Sequence, residues 1–285
     1  MNFLQWGQNP WGQEILIRIS WSLFWMALVA GVLFVIAHLV FRKTIVPKIE
    51  AAAAAAGDTA ATNASDIPEE IARHSMASRS FHWLMAASMF VLLITGFAPV
   101  VGIQFAWVTI HWIAGLVLLA CVLFHIVHAT MRGNWRAIWF ERTDIEDVRR
   151  RIRRAMGATT EQPGKDPKYP LSNRLYHHAV VVTSVMAIGT GLLMMVRVET
   201  PFWARNPYLL TEQTWGWMYV LHGVGAVGLV TLVITHVYFA VLPEKRWITK
   251  SMLFGSIRRD EYLEHHDPAR WSIDESKQGA DTDAA

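Results

Sequence analysis

Cysteine is almost absent from this 285-residue chain, in which Cys121 is the only one. A disulfide needs two cysteines, a cysteine-bound iron–sulfur cluster needs several, and covalent attachment of haem needs a CxxCH motif. The chain alone can therefore form none of the three. Any iron–sulfur cluster that works with this protein has to belong to a partner.

Charged residues are also scarce, at 17% of the chain, whereas hydrophobic residues make up 53%. Five runs without Asp or Glu are long enough to cross about 30 Å of hydrocarbon as helices, and they lie near 19–41, 81–101, 107–130, 175–197 and 217–242. None of them alternates with the period of two that barrel strands require. The sequence thus predicts an all-α integral membrane helical bundle with five spans.

The pattern divides the chain into four predicted segments. Residues 1–42 are an N-terminal transmembrane anchor, since Arg42 and Lys43 follow the apolar run, whereas the basic residues of a secretion signal precede it. Residues 43–72 are an Ala-rich cytoplasmic linker, and residues 272–285 are a polar tail that we expect to be disordered. Residues 73–271 hold the other four spans.

The basic residues predict the orientation of the spans. All but three of the 26 Lys and Arg residues lie in 42–79, 131–174 and 244–277. The positive-inside rule makes these stretches cytoplasmic, so five crossings place the N-terminus outside and the C-terminus inside. The densest basic run, 147–157, is interpreted as a topology signal that contacts anionic membrane lipids. No motif predicts nucleic-acid binding.

Histidine is the ionisable residue that the apolar runs do contain. His222 and His236 are fourteen residues apart, close to four helical turns, so they share a helix face at about 21 Å separation. A metal ion would need several further ligands at each depth, whereas a haem needs two imidazoles and room for a flat ring. We expect Gly223, Gly225 and Gly228 to make that room.

Partner histidines occur at matching depths. In antiparallel helices His111 would meet His222 on the outer side, and His82 would meet His236 on the inner side, which predicts two bis-histidine b haems. His125 lies fourteen residues after His111 and is the alternative inner ligand in place of His82. Spacing alone does not decide between these two inner ligands.

Several stretches resemble a known family. RSFHWLMAASMFVLLITGF at 79–97 resembles the first haem helix of the formate dehydrogenase γ subunit, a membrane cytochrome b556, and of related di-haem b cytochromes. The family's R-x-x-H-W and its later glycine match Arg79, His82, Trp83 and Gly96. Residues 110–119 and 221–240 resemble its second and last haem helices, and the resemblance covers about 73–271.

The resemblance implies a four-helix di-haem cytochrome b core, here with one extra N-terminal transmembrane helix. It supports the ligands His82, His111, His222 and His236. It also implies a subunit of the bacterial inner membrane that is not itself the substrate-oxidising enzyme. Its partners would be an iron–sulfur subunit and a molybdenum or tungsten catalytic subunit, with formate dehydrogenase as the first expectation. Nickel–iron hydrogenases and thiosulfate or polysulfide reductases share the plan, and some relatives form higher oligomers.

The family's quinone pocket includes a Y-N-x-G-Q-K stretch that opens the helix before the last. The matching YPLSNR at 169–174 differs, since Pro170 replaces the asparagine. Asn173 and Arg174 stand at the Gln and Lys positions, and His177 follows one turn later. The resemblance therefore implies quinone contacts from Asn173, Arg174 and His177. A haem-free anchor, or a transporter whose histidines relay protons, is the alternative from another class.

Overall fold

The structure is a computed structural model, and it describes residues 2–44, 46–47, 67–132, 137–156 and 165–273. Most of the predicted linker and nearly all of the predicted tail lie outside the described residues. In chain order the elements are β1 (Leu4–Gln8), β2 (Glu14–Ile19), α1 (Trp21–Thr44), β3 (Glu70–Ala72), α2 (Met76–Phe97), α3 (Trp107–Met131), α4 (Arg142–Ala155), α5 (Leu171–Met195), α6 (Glu212–Val241), α7 (Arg246–Phe254), β4 (Ser256–Arg258) and α8 (Arg259–His265).

Five of these helices, α1, α2, α3, α5 and α6, are long and apolar enough to cross a membrane. They coincide with the five predicted spans to within a few residues, so the prediction of a membrane helical bundle is confirmed. Only 11% to 17% of the most apolar part of each helix is buried inside the protein. Exposed apolar side chains on such helices are expected where lipid, and not water, covers the surface.

A β-hairpin precedes the first helix, which the all-α prediction did not include. β1 and β2 pair antiparallel. The turn between them is held by Asn9, whose Oδ1 accepts from the backbone N–H groups of Trp11 and Gln13 at 3.0 and 2.9 Å. Gly12 adopts φ 78° in this turn, a value that favours glycine. The Asn9 amide donates to Glu212 at the start of α6 at 2.8 Å, which ties the hairpin to that helix.

The chain divides into two compact units. The first unit comprises 1–65, 88–116 and 180–240. Its core joins Leu16 and Ile19 of the hairpin and Phe24 of α1 to one face of α6. Phe24 also stacks on Phe97 at a centroid distance of 4.4 Å.

The second unit comprises 66–87, 117–179 and 241–285. In it β3 pairs antiparallel with β4, and the core is built from Ile71, Trp247, Ile257 and Tyr262. The chain segment before α2 and the chain segment after α6 therefore pair and share a core. The predicted segment boundaries at residues 42 and 73 stay predictions.

Candidate haem-binding site

Two predicted ligands of the outer pair come together in the first unit. His111 lies in the first turns of α3 and His222 in the first half of α6, and their ring centroids are 6.2 Å apart with planes at 67°. Two imidazoles that bind one iron from opposite sides, each through a nitrogen about 2 Å from the metal, have centroids about 6 Å apart. The separation therefore leaves room for an iron between the rings.

Hydrogen bonds fix the protonation of His222. Its Nδ1 lies 3.0 Å from the backbone oxygen of Ala187 and 3.1 Å from Oγ1 of Thr190, both on α5. A carbonyl oxygen can only accept, so Nδ1 carries the ring proton and donates it. Nε2 is then unprotonated, and its lone pair is available to a metal. This is the arrangement that metal-binding histidines usually show.

His111 has a matching partner on another helix. Its Nδ1 lies 2.8 Å from Oγ1 of Thr95 on α2. The Thr95 hydroxyl is also 2.7 Å from the backbone oxygen of Val91, which can only accept. With its one proton donated to that carbonyl, the hydroxyl accepts from Nδ1 of His111, which leaves Nε2 free as in His222.

A glycine follows each of these threonines and borders the same ring. A Cβ atom at Gly96 would lie 3.5 Å from Cε1 of His111, and one at Gly191 would lie 3.3 Å from Cε1 of His222. The dipeptide Thr-Gly at 95–96 and 190–191 thus has the same role on two helices: the threonine bonds to a histidine Nδ1, and the glycine leaves space beside the histidine ring. The family resemblance indicated Gly96 but not Thr95 or Thr190, although the repeated Thr-Gly dipeptide could have indicated both threonines.

The three glycines that were predicted to make room for haem have a different role. A Cβ at Gly223 would lie 2.8 Å from Ile19 of the hairpin, and one at Gly228 would lie 2.8 Å from Thr183 of α5. A Cβ at Gly225 would lie 3.1 Å from the backbone oxygen of Thr183. Protein already fills these spaces, so that prediction was wrong. These glycines let α5 and the hairpin pack closely on α6.

The residues present at His111 and His222 fit a b-type haem. The ring separation suits two imidazole nitrogens on one iron, both Nδ1 atoms are bonded to acceptors, and a glycine flanks each ring. No group of three or more His, Cys, Asp or Glu side chains among the described residues could hold a metal ion. A haem explains the pair better than a bare ion, which would need more ligands than the pair supplies.

The predicted inner ligands fall in different units, His82 of α2 in the second and His236 of α6 in the first. The His82 ring stands edge-on to Trp83 at 5.2 Å. Trp83 donates to the backbone oxygen of Met252 at 3.2 Å, which fixes α7 beside the start of α2. The pairing of His82 with His236 stays a prediction, as does the alternative ligand His125.

The three predicted quinone contacts lie in the first turns of α5. Arg174 is 3% exposed and pairs with Asp144 at 2.9 Å and Glu141 at 3.1 Å. It also donates to the backbone oxygens of Trp139 and Tyr169. These bonds give its guanidinium a structural task, which is to join α4 to the start of α5. Asn173 is exposed and lies one turn before His177.

Comparison with known proteins places the chain in a family. The family model described as prokaryotic cytochrome b561 matches residues 73–255. The match covers more than half of the chain and includes all four predicted haem ligands. No curated protein matches the chain.

Proposed function

The chain belongs to the prokaryotic cytochrome b561 family, and we propose that it is the electron-transfer subunit of a membrane oxidoreductase. In this role it binds two b-type haems and connects a redox partner to the quinone of the bacterial inner membrane. Members of this family bind b-type haem. The number of haems, the quinone reaction and the partners are our proposals.

The geometry of His111 and His222 is the observation that carries the proposal. These two imidazoles would hold a b-type haem, which would supply one-electron transfer and, because both imidazoles would bind its iron, would not bind oxygen. Thr95 and Thr190, with the Ala187 carbonyl, hold the two imidazoles in the tautomer that can bind iron. Gly96 and Gly191 keep side chains away from the ring edges.

We assign the second haem to His82 and His236. The fourteen-residue spacing of His222 and His236 places both histidines on nearly the same face of α6. The resemblance of 79–97 to a first haem helix supports His82 against His125. Replacement of His125 by alanine should therefore leave two haems per chain, whereas loss of one haem would make His125 the inner ligand.

We place the quinone near the start of α5, with Asn173 and His177 in direct contact. The two residues lie four apart on the helix and so share a face. Arg174 would position this helix start through its bonds to Asp144 and Glu141. Reduction of a quinone consumes two electrons and two protons, and a site on the cytoplasmic side would take the protons from inside.

The partners we propose are an iron–sulfur subunit and a molybdenum or tungsten catalytic subunit, with formate dehydrogenase first because of the resemblance of the haem helices. A nickel–iron hydrogenase is the second candidate, because the label of the matching family model refers to a nickel hydrogenase cytochrome b. Metal analysis of the complex purified in mild detergent separates them. Molybdenum or tungsten favours the first, and nickel favours the second.

Haem content tests the proposal as a whole. Purified protein should give a pyridine haemochrome spectrum with two haems per chain, and dithionite should reduce both. A short-chain quinone such as decylubiquinone, or menadione, should then reoxidise them. Colourless protein without iron would instead favour the haem-free anchor or transporter.

A further inference from the structure

Three imidazole nitrogens that meet in the second unit are buried without a hydrogen-bond partner in the described part of the chain, and one of them is Nε2 of His128. His125 of α3 and His177 of α5 both have a buried Nδ1 atom without a partner in the described part of the chain. Their ring centroids are 6.2 Å apart, with planes at 58°. A buried polar atom without a partner usually indicates a water, an ion or a ligand that the protein binds there.

His178, the next residue of α5, shows that an Nδ1 atom without a partner is not a general property of the start of this helix. Nδ1 of His178 lies 2.8 Å from the backbone oxygen of Arg174. The His178 ring also stacks on Phe140 at 4.8 Å. One residue away from His177, the same helix therefore satisfies an imidazole within the chain.

The surroundings of His125 and His177 differ from those of His111 and His222, although both pairs have the same ring separation. The rings of His111 and His222 are both bonded at Nδ1 and bordered by a glycine. The rings of His125 and His177 have no hydrogen bond at Nδ1, and none of the described glycines borders either ring. A haem is therefore a poor fit between His125 and His177, and a smaller group is favoured.

Aromatic side chains lie beside the His125 and His177 rings. Phe81 of α2 lies 4.8 Å from His125, and Phe124 lies 6.0 Å from Phe81. Phe124 is 47% exposed on a spanning helix, where lipid covers it. His128 stacks on Phe124 at 5.6 Å, so a third imidazole borders the two phenyl rings. A flat, apolar molecule fits beside such rings better than a hydrated ion does.

The two histidines also lie at equal depth. His125 is six residues before the end of α3, and His177 is six residues after the start of α5, which is about 9 Å along each helix. With ring centroids 6.2 Å apart, the two imidazoles are close enough to bond to one atom between them. An oxygen that accepts from two N–H groups, attached to a flat apolar ring, is the group that fits.

We propose that His125 and His177 together hold one carbonyl oxygen of the quinone. The proposal rests on the quinone reaction proposed above, and it adds His125 as the second contact. When the quinone takes up two electrons, delivered one at a time through the proposed haem, and two protons, it becomes a quinol. One proton would pass from an imidazole to the oxygen held here, and the other from water to the opposite oxygen. The proton given by an imidazole is replaced from water.

Variants His125→Leu and His177→Leu test the site, with His178→Leu as the matched control. The haem content is measured first. The dissociation constant of decylubiquinone and of menadione follows from quenching of tryptophan fluorescence, and the reoxidation rate of dithionite-reduced haem is measured with both quinones. We expect both variants to keep their haems. Compared with the wild type, they should bind the quinone that the wild type binds more tightly at least tenfold more weakly, and their haems should be reoxidised at least tenfold more slowly. The control should stay within twofold of the wild type.

Three results would overturn the assignment. Loss of one haem in His125→Leu would make that residue a haem ligand, and unchanged quinone binding in both variants would remove the pair from the pocket. A wild-type protein that neither quinone reoxidises would count against the proposed function itself. If the leucine variants do not assemble, His125→Gln and His177→Gln replace them. These keep an N–H donor, so we expect binding within about threefold of the wild type, and a tenfold loss would contradict the proposed hydrogen bonds.

Discussion

Replacement of Thr95 by valine removes one hydrogen bond at the proposed haem while it preserves the shape of the side chain. In the wild type Oγ1 of Thr95 accepts the Nδ1 proton of His111 at 2.8 Å. Such an acceptor makes the imidazole a stronger electron donor, which favours ferric iron. Without it the ferrous state gains relative stability, so we expect the midpoint potential of this haem to rise.

The structure sets the size of the effect. A single hydrogen bond of this kind contributes about 0.5 to 1.5 kcal/mol, which for a one-electron couple corresponds to about 20 to 60 mV. This is an upper range, because the bond persists in part in both oxidation states. Thr190→Val should shift the potential less, since Nδ1 of His222 keeps the Ala187 carbonyl as acceptor at 3.0 Å.

Spectroelectrochemical titration of the purified protein measures both shifts. The matched control is Thr231→Val, because the Thr231 hydroxyl donates to the Val227 carbonyl one turn earlier on its own helix, α6. Thr95→Ser should restore the wild-type potential. A Thr95→Val protein with full haem content and a potential within about 10 mV of the wild type would refute the reasoning.

Three further predictions concern packing and charge. Gly191→Leu should lose one haem, because a Cβ at this position would lie 3.3 Å from the His222 ring. The control Gly189→Leu should keep two haems, because no atom lies within 4 Å of a Cβ there. Equal haem content in the two variants would contradict this prediction. Asp144→Ala removes the buried carboxylate partner of Arg174 but leaves Glu141 paired with it. The free energy of unfolding should therefore fall by less than the roughly 3 to 5 kcal/mol that a buried charge without any partner costs, and an unchanged thermal midpoint would exclude a structural ion pair. Burial, followed by the charge of a neighbouring arginine, lowers the pKa of His266 to about 4. An unfolded histidine has a pKa of about 6.5, so stability should fall as the pH decreases from about 6.5 towards 4, by about 2 kcal/mol at pH 5. Thermal unfolding at pH 7.5 and pH 5 measures this loss, and equal midpoints would contradict it.

The spanning helices could be predicted from sequence because lipid imposes a simple requirement. Each span needs about 20 apolar residues, and the five runs satisfy it without any knowledge of packing. The histidines were equally accessible, since an ionisable side chain in an apolar run is rare and its spacing converts directly into depth. His111 and His222 were paired in this way, and the structure brings their rings together.

The contacts that depend on a third helix could not be predicted in the same way. Thr95 looked like an ordinary polar residue in a helix, because its role depends on His111 of the next helix. The role of Gly223 was assigned wrongly for the same reason, since its neighbour Ile19 belongs to a hairpin that no apolar run indicates. Short strands with a polar turn carry too weak a signal beside five long helices.

The haem content of His111→Ala and His222→Ala, measured by pyridine haemochrome together with redox titration, tests the central claim most directly. The account predicts that the wild type holds two haems, and that each variant loses one and the same haem, recognised by its midpoint potential. Variants that both keep two haems, or that lose haems of different potential, would contradict the claim that these two imidazoles bind one iron.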